Sequence, residues 1–532
     1  MTARWPPLLN LVAASNEIRR LTSRASRLVA NPAAGLKIKK RFEGMESITP
    51  EVARHPRVPP RRVAVEPPKF VSGSLLRHIL VMTGAGAFGL VAIFVGDLAN
   101  IYFLSLLNDQ AIVAAIGYGS SIVALTISIG LGLLIATMSL VSPAIGAGRY
   151  VRARRVAASA HCWTFIVATI LAVIIWFLIP TLLTLLGATG RTHELATRYL
   201  EILVPALPPL AVAMASTAVL RSVGDARRSM NVTLYGAVAN VILDPVLIFG
   251  FGLGIEGAAI ASVIARLVML CIGLYGVIRV HRLMSRPRWR AMVSDARPLA
   301  MIAVPALATN IATPFANAYV TAAMSGFGDG AVAGWAIIGR IMPVAFGAIF
   351  ALSGNVGPII GQNFGAKKPD RMRQTLTLAL CVAAAFTTFS WIVLAILAPF
   401  IVQAFKAEGQ AAELILIFCY YLAPLFFFLG TLFVSNAIHN TLGRPQVSTA
   451  LNWGRATIGT IPLVWIGGEI AGAYGVLAGN LGGGIVFGCI GVILSYRLID
   501  HITQAPVSGT FKLARAPRSW WIRHRIRRRM DE

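Results

Sequence analysis

VTLYGAVANVILDPVLIFGF, Val232 to Phe251, carries a single carboxylate, Asp244, inside a run that is otherwise oil, with a proline directly behind it. About twenty mostly apolar residues cross the core of a bilayer as one helix. A charge in mid-span costs about 2.5 to 3.5 kcal/mol even on a forgiving insertion scale, so something must offset it or use it.

The rest of the chain reads the same way. Of 532 residues, 56% are hydrophobic and 13% charged, and the mean hydropathy is +0.72. That composition excludes a soluble globular enzyme and implies an all-α polytopic membrane protein. The net charge of +27 does not point to nucleic acid. The basic residues collect in the two tails and in alternate loops, namely RYVRARR (Arg149 to Arg155), RSVGDARR (Arg221 to Arg228), RVHRLMSRPRWR (Arg279 to Arg290), KKPDRMR (Lys367 to Arg373) and RHRIRRR (Arg523 to Arg529). Basic loops stay inside, so both termini are expected in the cytoplasm and the membrane is expected to be the cell inner membrane. The five cysteines fall in apolar segments without CxxC pairing, and read as packing residues.

Twelve windows are long and apolar enough to cross, with Val447 to Ile466 and Tyr474 to Tyr496 counted as separate crossings. The expected plan is a basic, disordered cytoplasmic tail over 1–74, a six-helix lobe over 75–278, a cytoplasmic linker over 279–298, a second six-helix lobe over 299–496 and a basic cytoplasmic tail over 497–532. Within the first tail, NEIRRLTSRASRLV (Asn16 to Val29) has the pattern of a short amphipathic stretch lying on anionic lipid.

The two lobes are copies. NDQAIVAAIGYGSSI (Asn108 to Ile122) runs parallel to GDGAVAGWAIIGRIM (Gly328 to Met342), and SPAIGAGR (Ser142 to Arg149) resembles GQNFGAKK (Gly361 to Lys368). Six spans per copy is an even number, so the copies share one orientation and are related by a pseudo-two-fold along the membrane normal. Two such bundles with a cavity between them make an alternating-access architecture.

Among the 21 acids, only Asp97 and Asp244 fall in the interior of a span, both in the first lobe. The repeat supplies an internal control. Asp97 in VGDLAN aligns with Asn317 in PFANAY, and NVILDPV aligns with TIGTIPLV, where the proline survives as Pro462 and the acid does not. Packing alone therefore does not require a carboxylate at either place. Two acids in one bundle suggest an ion or proton path, against the plainer role of hydrogen-bonding one helix to the next. Asn240, four residues before Asp244, shares its helical face and offers an amide to it or an oxygen to a cation. Pro245 removes a backbone donor and leaves the helix bendable beside the acid. Arg266, Arg340 and Arg455 also fall within spans, where pairing with carbonyls competes with contact to a substrate anion.

Two GxGxxG matches, GAGAFG (Gly84 to Gly89) and GLGIEG (Gly252 to Gly257), lack the strand and the downstream acid of a dinucleotide site, and fit close helix approach or a tight turn better. GxxxxGK[ST], HExxH and GxSxG do not occur. No set of nucleophile, base and acid gathers at one depth, so the chain does not read as an enzyme, and no cofactor is expected.

RSVGDARRSMNVTLYGAVANVILDPVLIFGFGLGIEGAAIAS (Arg221 to Ser262) resembles the multidrug and toxic compound extrusion (MATE) family, whose fifth and sixth helices read R-x-x-G-D, N-x-x-x-D-P and G-x-x-G-A-A-x-A-[ST]. IGLGLLIATMSLVSPAIGAGR, the acid in VGDLAN and GQNFGAKK fit the same pattern, so the likeness covers roughly residues 75 to 496. It implies secondary export of organic, often cationic compounds in exchange for protons or sodium ions. By that likeness Asp97 matches the first-helix acid, Asn240 and Asp244 the fifth-helix pair, and Ser262 the hydroxyl of the sixth. Sodium suits the oxygens of Asp97, Asp244 and Asn240, and Asn317 is the second-lobe counterpart of Asp97. The branch implied is the one with its coupling acids in the first lobe. The family's proline near the start of the first helix is missing from MTGAGAFG, although Pro305 stands at the aligned place in the second half. The expected partners are a small organic substrate, a proton or sodium ion and the bilayer, not nucleic acid. The rival within transport is a lipid-linked saccharide flippase of the same superfamily, which a cationic central cavity would favour.

Overall fold

A computed structural model describes residues 67–107 and 109–504. Of the expected tails over 1–74 and 497–532, residues 1–66 and 505–532, including the basic stretch from Asn16, lie outside the described residues, while a 3-10 turn at Lys69–Val71 and the helix running to Gln504 occupy parts of the rest.

Every regular element among the described residues is a helix. The first copy supplies α1 (Leu75–Ser105), α2 (Gln110–Gly146), α3 (Tyr150–Leu185), α4 (Gly190–Val223), α5 (Ala226–Gly250) and α6 (Gly254–Val280). The second supplies α7 (Trp289–Ser325), the bent pair α8 (Asp329–Ala345) and α9 (Gly347–Gly365), then α10 (Pro369–Ala404), α11 (Gly409–Thr441) and α12 (Pro445–Gln504). A 31-residue helix such as α1 is about 46 Å long, enough to cross the hydrocarbon core and both interfaces. Side-chain caps start several of them. Ser74 accepts from the Arg77 amide, Asp109 from that of Ala111 and Asp225 from that of Arg228.

By length and composition, ten of the described segments can each cross a membrane, or eleven with the α8–α9 pair, which bends by 51°. The count of twelve rests on α12. A straight helix of 60 residues would run about 90 Å. Instead the backbone leaves helical geometry at Ala471 and Gly472, where Gly472 takes φ +57°. The chain then folds back so that Gly475 lies on Gly467 and Gly479 on Leu463. α12 is thus an antiparallel hairpin, divided where the sequence reading divides it. The linker is shorter than expected, because α6 runs to Val280 and α7 already begins at Trp289.

The two copies meet at the end that carries the basic loops. SPAIGAGR and GQNFGAKK, the repeat-related stretches, pack on each other. A Cβ on Gly146 would stand 2.0 Å from the Gln362 carbonyl oxygen, and one on Gly365 would stand 2.0 Å from that of Pro143. Around this point Asn355 Nδ2 donates to the Met82 carbonyl (3.0 Å) and Gln362 Nε2 to that of Ser222 (2.7 Å). A short 3-10 turn ahead of α1, Lys69–Val71, threads between the copies with Phe70 buried. The Phe70 amide donates to Gln362 Oε1 (2.9 Å), its carbonyl accepts from Asn363 Nδ2 and Arg371 Nη2, and Lys69 Nζ donates to the Gly224 carbonyl on the other side. Among the described residues, the hydrogen bonds that join the two copies lie toward this end. The bundles are closed over the basic loops, with no such bond at the opposite end.

Candidate functional site

The acidic site forms where α1 lies along α5. Small residues set that approach. A Cβ on Gly89 would stand 2.5 Å from Thr233 Oγ1, and Gly96 faces Ala237. About one turn beyond the Gly96–Ala237 contact, the side chains of Asn100, Asn240 and Asp244 converge. Asp244 is fully buried, and its Oδ2 accepts from Asn100 Nδ2 (3.1 Å) and from Asn240 Nδ2 (2.9 Å). Its Oδ1 is buried and has no hydrogen-bond partner among the described residues. An unsatisfied buried carboxylate oxygen is expensive, and a proton or a cation on that oxygen removes the penalty. The amide oxygens of Asn100 and Asn240, left free while their nitrogens donate, suit either.

Directly after Asp244 the helix changes gauge. Pro245 ends the regular α turns and Val246–Gly250 forms a π turn. Proline deletes one i to i−4 bond, and the wider turn absorbs the misfit. Gly257 at the start of α6 rests on the Leu247 backbone, where a Cβ would stand 2.8 Å from the carbonyl carbon. The second GxGxxG match is therefore a tight turn, with Gly252 and Gly254 at φ +66° and +52°, followed by close packing. In the first match, Gly86 makes room for Asn355 and Gly89 for Thr233.

Asp97 sits one turn before Asn100 and is exposed, with no hydrogen bond or ion pair among the described residues. It lies within electrostatic reach of Arg266 on α6, and Tyr199 on α4 feels Arg266, Asp97 and Asp244 together. Arg266 is not locked to either acid; its Nη1 donates to the Leu203 carbonyl (3.1 Å). Ser262 is half-buried on α6 and makes no hydrogen bond to the other candidates, and Asn317 is exposed on α7, in the other copy. The structure thus brings together Asn240 and Asp244, places Asp97 nearby, and leaves Ser262 and Asn317 outside the hydrogen-bonded set. Asn100 is the member the sequence reading passed over. Its spacing of three from Asp97 in VGDLAN, the same helical face, was the available signal.

The remaining span residues divide clearly. His161 bonds the Ala157 carbonyl and Ser216 Oγ, and His439 the Ser435 carbonyl. Arg340 is exposed on α8. The five cysteines are free, and no group of three or more His, Cys, Asp or Glu able to hold a metal occurs among the described residues.

The family profile described as MatE matches the chain twice, over residues 86–246 and 305–466, one match per copy. A protein of Shewanella oneidensis named "FAD transporter" is 30% identical over 447 residues, covering 83% of this chain and 98% of that protein. "Multidrug export protein MepA" of Staphylococcus haemolyticus is 24% identical over 441 residues, covering 82% and 96%. The crystal structure of the Vibrio cholerae MATE transporter VcmN in the bent form superposes with a TM-score of 0.76 at 26% identity, covering 80% of this chain and 98% of that one.

Proposed function

Since the chain belongs to the MATE family of multi-pass membrane transporters, we propose that it is a secondary efflux antiporter of the inner membrane, expelling small organic molecules in exchange for protons or sodium ions. One observation carries this reading: Asp244 is fully buried with one carboxylate oxygen held by two amides and the other unpartnered. Such an oxygen takes one proton or one cation and releases it when its surroundings change.

The basic loops mark the cytoplasmic face, so both termini are cytoplasmic and the closed end is the inner one. The conformation described is then outward-facing. Asp97 meets cargo and ion first, being exposed. Asn100 and Asn240 pass the ion to Asp244 while the Arg266 charge acts on Asp97. Filling Asp244 removes its pull on the two amides beside the π turn, which alters α5 where it bends most easily. Cargo leaves, the basic end parts, and the ion departs inward. A membrane potential adds about 2.3 kcal/mol per charge per 100 mV if net charge moves.

Cation-bearing organic compounds suit Asp97. The relative named for FAD widens the cargo class to anionic dinucleotides. A lipid-linked saccharide flippase would instead require cationic groups where Asp97 and Asp244 stand. Reconstitution into proteoliposomes, with proton and sodium gradients imposed separately, tests the reading through uptake of ethidium. Uphill accumulation under one gradient is expected; flux indifferent to both would overturn it.

A further inference from the structure

The second copy holds a buried cation with no ion-pair partner among the described residues. Arg455 on α12 is 5% exposed and begins a π turn, Arg455–Gly459. Its Nη2 donates weakly to Thr313 Oγ1 on α7 at 3.3 Å, and its Nε has no hydrogen-bond partner among the described residues. Among the described residues it makes no ion pair. Of the second copy's acids among the described residues, Asp295 on α7 is buried but taken by Arg155 of the first copy at 2.9 Å, and Asp329, Asp370, Glu408, Glu413, Glu469 and Asp500 lie near helix ends or in loops. A buried guanidinium left unpaired costs several kcal/mol, and an anion with two oxygens on its fork offsets that cost.

Its position adds meaning. Under the repeat, α1 corresponds to α7 and α5 to the first limb of α12. The acidic site of the first copy lies between α1 and α5; Arg455 and Thr313 lie between α7 and α12. Each copy thus carries a buried polar site at the same kind of interface, with opposite charge. Thr460, fully buried one turn on, leaves its hydroxyl unpartnered. In the same interface the rings of Phe315 and Trp453 lie 5.4 Å apart, with Phe315 44% exposed. Both this aromatic pair and the Arg455–Thr313 pair therefore bridge α7 and α12.

We propose that Arg455, with Thr313, binds the phosphate or carboxylate of a planar aromatic cargo, and that this site selects anionic cargo while the first copy handles the coupling ion. The inference rests on the antiporter reading and names the class of cargo. The site is occluded in the closed conformation, so cargo enters as α7 and the first limb of α12 part.

Riboflavin and flavin mononucleotide differ only by a phosphate and form the probe pair. Binding to purified protein is measured by calorimetry and uptake in proteoliposomes, for wild type, Arg455→Gln, Arg455→Lys and Thr313→Val. Arg455→Gln is expected to weaken flavin mononucleotide binding and uptake roughly tenfold or more, with riboflavin binding and ethidium uptake unchanged within twofold. Arg455→Lys keeps part of the affinity, since a point charge replaces the fork, and Thr313→Val, which strands no charge, is expected to lose a few-fold. Equal losses for all three probes would make Arg455 structural and overturn the proposal, as would unchanged flavin mononucleotide binding. Inorganic phosphate binding that Arg455→Gln abolishes without affecting flavin mononucleotide uptake would assign the site to a free anion and overturn the cargo role. Wild type that moves ethidium but neither flavin overturns this inference alone; wild type that moves none of the three overturns the antiporter reading beneath it.

Discussion

Asn100 and Asp244, 144 residues apart in the chain, share a buried hydrogen bond of 3.1 Å between α1 and α5. Through it the charge on Asp244 is felt by α1, whose other end carries Met82, the acceptor for Asn355 of the opposite copy. A single helix therefore touches both the buried Asp244 cluster and the contact between the copies. If Asp244 carries the ion, this helix is where occupancy of the site and packing at the basic end would meet.

Asn100→Ala removes one of two donors to Asp244 Oδ2. Losing a hydrogen bond to a charged group costs about 1.5 to 3 kcal/mol, so the midpoint of the driving-ion dependence should move by roughly tenfold or more. Proteoliposome uptake titrated against the coupling ion checks this. An unchanged midpoint with normal expression would remove Asn100 from the site.

Gly365→Leu places side-chain atoms where the Pro143 carbonyl lies 2.0 Å from an added Cβ, and Gly146→Leu does the same against Gln362. Both are expected to prevent closure over the basic loops. Spin labels at the exposed residues Val151 and Asp370, in a background without the native cysteines, should show a longer distance in either variant. The wild-type distance distribution in both would contradict the packing described.

Gln362→Ala strands the Phe70 amide and the Ser222 carbonyl, which Gln362 joins at 2.9 and 2.7 Å. Each stranded buried group costs about 1 to 3 kcal/mol, enough to shift a two-state equilibrium tenfold or more. The same spin-label pair should report a larger open fraction. Arg371→Ala, which removes one of two donors to the Phe70 carbonyl and the donor to that of Gly73, should act in the same direction.

Asp225, in the loop before α5, accepts from Arg228 and from His281 Nε2 (2.8 Å). Burial pushes its carboxyl up, but the hydrogen bonds from His281 and Arg228 outweigh this and hold it well below the usual carboxylate range. A depressed folded-state value gives stability that is present above the unfolded value near 3.9 and lost as pH falls through the folded one. Asp225→Asn should therefore lower thermal stability at pH 7 by about 1 to 2 kcal/mol, with the deficit shrinking in strong acid. A deficit independent of pH would show that shape, not charge, is at work.

Much of this was legible in the sequence because membranes simplify the reading. Apolar length gives spans, and Asp244 stood out against oil. The repeat between SPAIGAGR and GQNFGAKK was visible too, but that the two stretches pack on each other was not, since sequence similarity does not encode contact. The turn at Lys69–Val71 fell in what composition assigns to a tail. Asn100 was missed because a neutral amide carries no signal of cost until its partner is known. Arg455 was noticed, yet its lack of a partner is a property of the folded neighbourhood. Asn317 kept the shape of Asp97 in the repeat without joining a hydrogen-bonded cluster.

The account stands on Asp244 as the ion carrier, and the direct measurement is uphill, gradient-driven ethidium accumulation by Asp244→Asn in proteoliposomes, alongside its thermal stability. The expected result is loss of uphill accumulation in a protein that still inserts and melts like wild type. Full accumulation by that variant would contradict the assignment.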